Sequence, residues 1–84
     1  MDMLRDTERI ANLAENLRAA MHRFGWTQQK LEAESGVPQP IISRILNAKG
    51  EPGVITVWRL AEALQTSLDK LLASPVRKFL AKSG

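Results

Sequence analysis

The stretch from residue 39 to residue 47 carries the side chains best suited to binding a defined partner. It contains amide, hydroxyl and guanidinium groups and no carboxylate. At about 100° per residue of an α-helix, its polar residues occupy one half of the circumference: Gln39, Pro40, Ser43, Arg44 and Asn47. Its apolar residues occupy the other half: Ile41, Ile42, Ile45 and Leu46. Amides bond adenine edges and guanidinium groups bond guanine edges in the DNA major groove. The pattern predicts a helix that packs by one half and contacts bases by the other.

A second short helical pattern precedes this one and must hold it in place. Thr27 is placed as an N-cap, and Leu31 and Ala33 are expected to point inward. Gly36 separates the two patterns, and a left-handed glycine is the usual way to end a helix. The predicted elements are therefore a short helix, a tight turn and a further helix over about residues 39–47.

Three more helices complete an all-α prediction of five helices and no strand. The first runs over about residues 8–23 and ends at Gly25, with apolar residues at helical spacing: Ile10, Leu13, Ala14, Leu17, Met21 and Phe24. A Gly- and Pro-containing loop over residues 48–53 leads to the fourth helix, capped by Thr56, with Val57, Leu60, Ala61 and Leu64 facing inward. Ser67 caps the fifth, which has Asp69 in its first turn and Leu68, Leu71 and Leu72 as its apolar face.

Composition and charge narrow the class of function. The 84 residues suffice for one small domain, and the absence of cysteine leaves neither disulfides nor thiolate metal sites. No apolar run approaches a membrane span of roughly 20 residues, and the first residues lack the layout of a signal peptide. Residues 1–43 have a net charge of −1 and residues 44–84 of +4. A soluble, cytoplasmic protein with a polyanionic partner is therefore expected.

The joint register of these features resembles the phage lambda and 434 repressor and Cro-like family, also called the XRE family. The similarity extends from about Arg9 to Leu72. It rests on these segments: Gly25-Trp26-Thr27-Gln28, Leu31, Gly36-Val37, Ile42-Ser43-Arg44-Ile45, Asn47, Thr56, Leu60-Ala61-Glu62-Ala63-Leu64 and Thr66-Ser67-Leu68-Asp69-Lys70-Leu71-Leu72. Each short match occurs by chance in other proteins, whereas their order and spacing over about sixty residues are specific.

The resemblance implies a five-helix lambda-repressor-like domain over residues 9–73, with an N-terminal arm over 1–8 and a basic tail over 74–84. Helices two and three would form the helix-turn-helix, with helix three in the major groove. The implied DNA-binding residues are Thr27, Gln28, Gln29, Pro38, Gln39, Pro40, Ser43, Arg44, Asn47 and Lys49. In the family, the glutamine at the position of Gln28 binds a phosphate. It also braces the first glutamine of the reading helix, which would be Gln39 here.

Roles that involve no contact with DNA remain open for three of these residues. Gln28 could be an ordinary exposed polar residue, Asn47 could merely terminate its helix, and Lys49 could be a solvated lysine. The sequence alone does not separate these roles from contacts with phosphate.

Three departures from the family pattern concern the reading helix and the residues that support it. Pro38 stands where the family has a Ser or Thr cap, and the lost bond should cost about 1 kcal/mol. Pro40 disfavours helical angles at Gln39, so the helix start is expected to be offset by one residue. Met21 and Leu46 stand where many relatives have an arginine–glutamate pair; apolar replacement of such a pair is often neutral or stabilising.

Other chemistry has little support. Trp26 is expected in the core, whereas Trp58 has no assigned place. His22 is the only histidine, and Glu32 and Glu34 do not share a helix face, so neither a metal site nor a catalytic site is indicated. No enzyme activity and no cofactor are predicted.

Three functional hypotheses follow. The first is a sequence-specific regulator of transcription that binds double-stranded DNA, most consistent with a bacterial or phage repressor that binds a palindromic operator as a homodimer. The second is an antitoxin that binds its own promoter and a toxin protein. The third, a helical interaction module without a DNA role, conflicts with the basic residues from Arg44 onward.

The basic tail admits three interpretations: a dimerisation helix, a phosphate-contacting arm or disorder. The apolar pair Phe79 and Leu80 favours dimerisation.

Overall fold

The computed structural model describes residues 6–75 and contains five α-helices in that range. They are α1 (Asp6–Phe24), α2 (Gln28–Ser35), α3 (Gln39–Leu46), α4 (Val54–Ala63) and α5 (Leu68–Leu72). The described part of the chain has no strand. None of its helices is both long and apolar enough to cross a membrane. The predicted all-α, five-helix architecture is confirmed.

One hydrophobic core joins all five helices. α1 packs against α3 and α5, α2 packs against α3 and α4, and α4 packs against α5. The core is made mainly of aliphatic side chains: Leu13, Leu17, Ala20, Met21, Leu31, Val37, Ile42, Ile45, Leu46, Val57, Leu60, Ala61, Leu64 and Leu71. Because each helix presents one apolar stripe to this core, its opposite side remains available to solvent or to a partner.

Four residues predicted to be in the core lie elsewhere. Ile10 is only half-buried, and Ala33 is exposed because α2 gives the core Leu31 alone. Ile41 is 38% exposed because it lies at the edge of the apolar half of α3. Phe24 is 37% exposed at the last residue of α1, where its ring lies 4.9 Å from that of Trp26, measured between centroids.

The predicted N-caps are confirmed for α2 and α5 and wrong for α4. The hydroxyl of Thr27 accepts a hydrogen bond from the backbone N–H of Lys30, at 3.1 Å. Ser67 makes the same contact at the start of α5. α4 begins three residues earlier than expected, so that Thr56 lies inside its first turn and Gly53 occupies the cap position without a side-chain bond.

α3 and α4 both end in a residue with left-handed backbone that is not glycine. Ala48 has a φ of 55° and Gln65 a φ of 56°. The next residue in each case donates its N–H to a carbonyl five residues back, from Lys49 to Arg44 and from Thr66 to Ala61, both at 2.9 Å. α1 ends in the same way but with Gly25, which adopts φ 69° at little cost. The helix-ending motif is therefore common to three helices, and only α1 has the residue that favours it.

A set of long-range hydrogen bonds joins α1 to the C-terminal end of α5. The side-chain amide of Asn16 on α1 donates to the carbonyls of Leu71 at 2.8 Å and of Ala73 at 2.7 Å, and lies 3.2 Å from that of Lys70. Carbonyls at a helix C-terminus have no partner within the helix. Asn16 therefore caps the C-terminal end of α5 from another element, a role that the sequence pattern did not indicate.

Candidate nucleic-acid interface

The turn between α2 and α3 is fixed by its own hydrogen bonds. Gly36 has a φ of 77°, and its N–H donates to the carbonyl of Glu32 at 2.8 Å, as predicted for a left-handed glycine that ends a helix. The Ser35 hydroxyl donates to the carbonyl of Leu31 at 2.6 Å and accepts the N–H of Val37 at 3.1 Å. Because Val37 is also buried, the turn is anchored at both ends.

The C-terminal end of α3 is held by α1 through an arginine that the sequence analysis missed. The Arg18 guanidinium donates to the backbone carbonyl of Leu46 at 2.8 Å. A cation at this end also complements the helix dipole. Met21 and Leu46 are both buried, as expected for apolar replacements of an ion pair. Nothing in the periodicity of α1 indicates that Arg18 reaches α3.

The start of α3 does not show the expected one-residue offset. The helix begins at Gln39, with Pro38 in the cap position at φ −58° and ψ 141° and with no side-chain cap bond. The carbonyl of Pro38 accepts the N–H groups of Ile41 at 3.0 Å and Ile42 at 3.1 Å. Pro40 fits because N–H groups in the first turn have no intrahelical partner to lose.

All ten residues predicted to contact DNA are accessible. Gln28, Gln39 and Ser43 are half-buried, whereas the others are exposed: Thr27, Gln29, Pro38, Pro40, Arg44, Asn47 and Lys49. They come from the start of α2, from α3 and from the residues just after α3, and α2 and α3 pack against each other. Ile41, at the edge of the polar half of α3, adds an apolar group that the sequence analysis had placed in the core.

Three of these residues have partners within the chain that bear on their roles. Thr27 caps α2 through its hydroxyl. The Asn47 amide donates to the carbonyl of Ser43 at 2.9 Å, so that it closes the end of α3. No hydrogen bond joins Gln28 to Gln39 among residues 6–75, and the bracing contact implied by the resemblance is therefore not formed in the free chain.

Arg44 lies over the loop that follows α3. Its guanidinium passes so close to Gly50 that a Cβ built on the glycine would come within 2.8 Å of an Nη atom. Lys49 beside it is exposed. The first turns of α2 and α3 contain no acidic residue. Because helix N-termini carry a partial positive charge, these features favour an anionic partner at this surface.

The remaining candidates are accounted for by packing or exposure. Trp26 packs against the core, as predicted, and the Lys30 ammonium lies 5.9 Å from the centroid of its ring. Lys30 also pairs with Glu34 at 3.0 Å. His22 is exposed, and the described range contains no cluster of His, Cys, Asp or Glu able to hold a metal ion.

The exposed side of α4 carries an apolar surface that the sequence analysis did not identify. Val54 is 63% exposed, Ile55 60% and Trp58 47%. These three residues, here called the α4 patch, are exposed, whereas Val57 and Leu60 of the same helix are buried. Large exposed apolar side chains that cluster in this way are typical of a protein–protein contact. The dimerisation role predicted for the tail over residues 74–84 rests on Phe79 and Leu80, and residues 76–84 lie outside the described residues.

Comparison with known proteins establishes the family. Residues 17–71 match the model of the helix-turn-helix family. The match covers more than half of the chain, and the chain therefore belongs to this family. It is a DNA-binding transcriptional regulator. The resemblance to the lambda repressor and Cro-like proteins is thereby confirmed.

A solved structure shares the fold. It is the crystal structure of a hypothetical transcription factor, NHTF, from Neisseria, which is similar with a TM-score of 0.78 over 96% of this chain and 94% of that chain. At 23% sequence identity, this similarity shows the fold alone. No curated protein matches the chain.

Proposed function

We propose that this protein is a repressor that binds a palindromic operator as a homodimer and reads its sequence with α3. The observation that supports this proposal most directly is the division of α3 into two sides. Ile42 and Ile45 fix the helix in the core, while Ser43 and Arg44 remain accessible on its other side. A helix held rigidly by its apolar half can present side chains to bases in a defined register.

The chemistry of the accessible side gives each residue a role. Arg44 suits a bidentate contact with guanine, and Gln39 suits one with adenine. Pro40 and Ile41 can contact only apolar groups such as the thymine methyl. At the flanks, Thr27, Gln28, Gln29, Asn47 and Lys49 would contact phosphates, which position the helix without reading sequence. Pro38 has no hydrogen-bond donor and would make only apolar contact with the DNA.

The homodimer is supported by the α4 patch and by the size of the domain. A second copy that covers Val54, Ile55 and Trp58 would remove an apolar surface from water. The two half-sites of a palindrome lie about 34 Å apart along the DNA. The described chain measures 36 × 29 × 20 Å, so two copies arranged along the longest dimension would lie at about this separation.

Selection from a random pool of double-stranded DNA tests the proposal. A palindromic consensus with half-sites one helical turn apart is the expected result. Enrichment of a single, non-repeated site would overturn the dimer, and no enrichment at all would overturn sequence-specific reading. A reporter gene placed behind the selected sequence then tests repression, because a repressor lowers its expression.

The alternative function is an antitoxin, and the α4 patch is the observation that favours it. An antitoxin would use this apolar surface for a toxin protein rather than for a second copy. Sedimentation of the purified protein separates the two. A homodimer that buries the α4 patch supports the repressor, whereas a monomer that forms a stable complex with a growth-inhibiting protein supports the antitoxin.

A further inference from the structure

Gly50 differs from the other glycines of the domain in what surrounds it. A Cβ added at Gly50 would lie 2.8 Å from an Nη atom of Arg44 and 3.9 Å from its Cζ. A Cβ added at Gly25, Gly36 or Gly53 would meet nothing within 4 Å. The missing side chain of Gly50 is thus the space that the Arg44 guanidinium occupies.

The backbone at Gly50 adds a second requirement. Its φ of 72° lies in the left-handed region, where other residues are strained. Gly25, with φ 69°, meets the same backbone requirement without any neighbouring side chain. The comparison separates two functions of glycine, because only Gly50 combines the left-handed turn with the close approach of another residue.

The guanidinium lies against Gly50 and has no charged partner within residues 6–75. Among the described residues Arg44 forms no ion pair and no side-chain hydrogen bond, although Glu51 follows Gly50 directly. A carboxylate partner would have to be displaced before the arginine could bond a base. A glycine beside the guanidinium takes up none of its N–H donors and leaves them free for a base.

We propose that Gly50 is a positioning residue that sets the direction of the Arg44 guanidinium and thereby its preference for one base. The proposal rests on the proposed function, in which Arg44 reads a base edge. A residue with a side chain at position 50 would push the guanidinium away from the loop. Arg44 would then keep its charge, and hence its attraction to DNA, but lose part of its selectivity.

The first measurement concerns the free protein and does not depend on DNA binding. Gly50→Asn adds a Cβ by means of a residue type that tolerates positive φ. Gly25→Ala strains a left-handed glycine that has no side chain near it, and is the control for an effect of backbone strain alone. NMR relaxation of the Arg44 Nε–H group should report an ordered side chain in the parent protein and in Gly25→Ala, and a more mobile one in Gly50→Asn. Equal mobility in all three proteins would overturn the contact.

The second measurement is a double-mutant cycle on the selected DNA site. Gly50→Asn should reduce the discrimination at the base read by Arg44 by about tenfold, a part of what one bidentate arginine supplies. Binding to random DNA should change little. In the Arg44→Ala background Gly50→Asn should have no further effect on discrimination, because its action passes through Arg44.

The outcomes distinguish this inference from the proposed function. An equal effect of Gly50→Asn with and without Arg44 would show that Gly50 is only a turn residue, while the reading role of Arg44 stands. If Arg44→Ala itself loses no discrimination, the reading role of Arg44 fails, and with it the effect of Gly50 on selectivity. The NMR result then decides the contact between the two residues alone.

Discussion

The exposed sides of α3 and α4 differ in chemistry although the two helices are built alike. Each is short, buries aliphatic residues against the same core and ends in a left-handed residue that is not glycine. The accessible side of α3 is polar and cationic, with Ser43 and Arg44. The accessible side of α4 carries two large apolar side chains, Ile55 and Trp58, beside the charged residues Arg59 and Glu62. The core therefore does not determine the outer surface of a helix, and that surface indicates which kind of partner each helix serves.

Under the proposed function, the different surfaces of α3 and α4 would contribute separately to the free energy of DNA binding. In the proposed repressor, contacts from α3 to base edges would give selectivity within one half-site. Burial of the α4 patch between two copies would join two half-sites, since the second binding event becomes intramolecular. Substitutions on one helix should then leave the contribution of the other intact.

The largest effect is expected from substitution of the α4 patch. Ile55→Glu combined with Trp58→Glu places charges on the apolar surface, so that the protein should sediment as a monomer. Its affinity for a full palindrome should fall by on the order of a hundredfold or more, as the gain from linked half-sites is lost. Binding to an isolated half-site should fall much less.

The control for this substitution adds the same charge elsewhere. Ala11 and Ala19 are exposed on α1, and Ala11→Glu with Ala19→Glu introduces two carboxylates away from α4. This variant should remain dimeric. If the α4 variant still sediments as a dimer, the contact between copies lies on another surface of the protein.

Arg44→Ala should have the next largest effect. It should weaken binding to the cognate site by about 1–3 kcal/mol and relax the preference for one base in each half-site. Lys49→Ala is the matched control: it should lower the salt dependence by roughly 0.9 in slope, as expected for one phosphate contact, and keep the preference. Equal losses for Arg44→Ala on cognate and random DNA would identify Arg44 as a phosphate contact.

The smallest effect concerns the residue that ends α3. Ala48→Gly should raise the free energy of unfolding by about 0.5–1 kcal/mol, because relief of left-handed strain exceeds the extra entropy of a glycine in the unfolded chain. Urea unfolding should show a higher midpoint with an unchanged slope. Gly25→Ala should have the opposite sign. Destabilisation by Ala48→Gly would mean that the strain at Ala48 is already relieved by its surroundings.

The sequence predicted those parts of the fold that depend on local patterns. Thr27 and Gly36 bound α2 as expected, because a cap hydroxyl and a left-handed glycine act on their immediate neighbours. The start of α4 was misplaced since Gly53 caps it with no side chain, and Thr56 offered a false signal. Ile41 was misassigned because helical periodicity does not show where the apolar half ends.

The unpredicted parts of the candidate site depend on contacts between distant residues. Arg18 reaches the end of α3 across 28 positions in the sequence. The sequence places Gly50 in a loop. Its contact with Arg44 could not be predicted, because the contact depends on the path of that loop in space. The α4 patch was missed because Val54 precedes the predicted start of the helix and so was not placed on its surface.

The contact that Asn16 makes with the end of α5 has a consequence for the order in which the chain folds. It joins residues 54–57 positions apart, whereas α2, the turn and α3 lie within twenty residues. Closing the longer loop costs more conformational entropy, so the helix-turn-helix is expected to form before α5 docks on α1. In native-state hydrogen exchange, α5 should open at lower free energy than α3. Brief detachment of α5 would thus leave α3 folded. If the amide hydrogens of α3 and α5 exchange at the same free energy, the domain opens only as a whole.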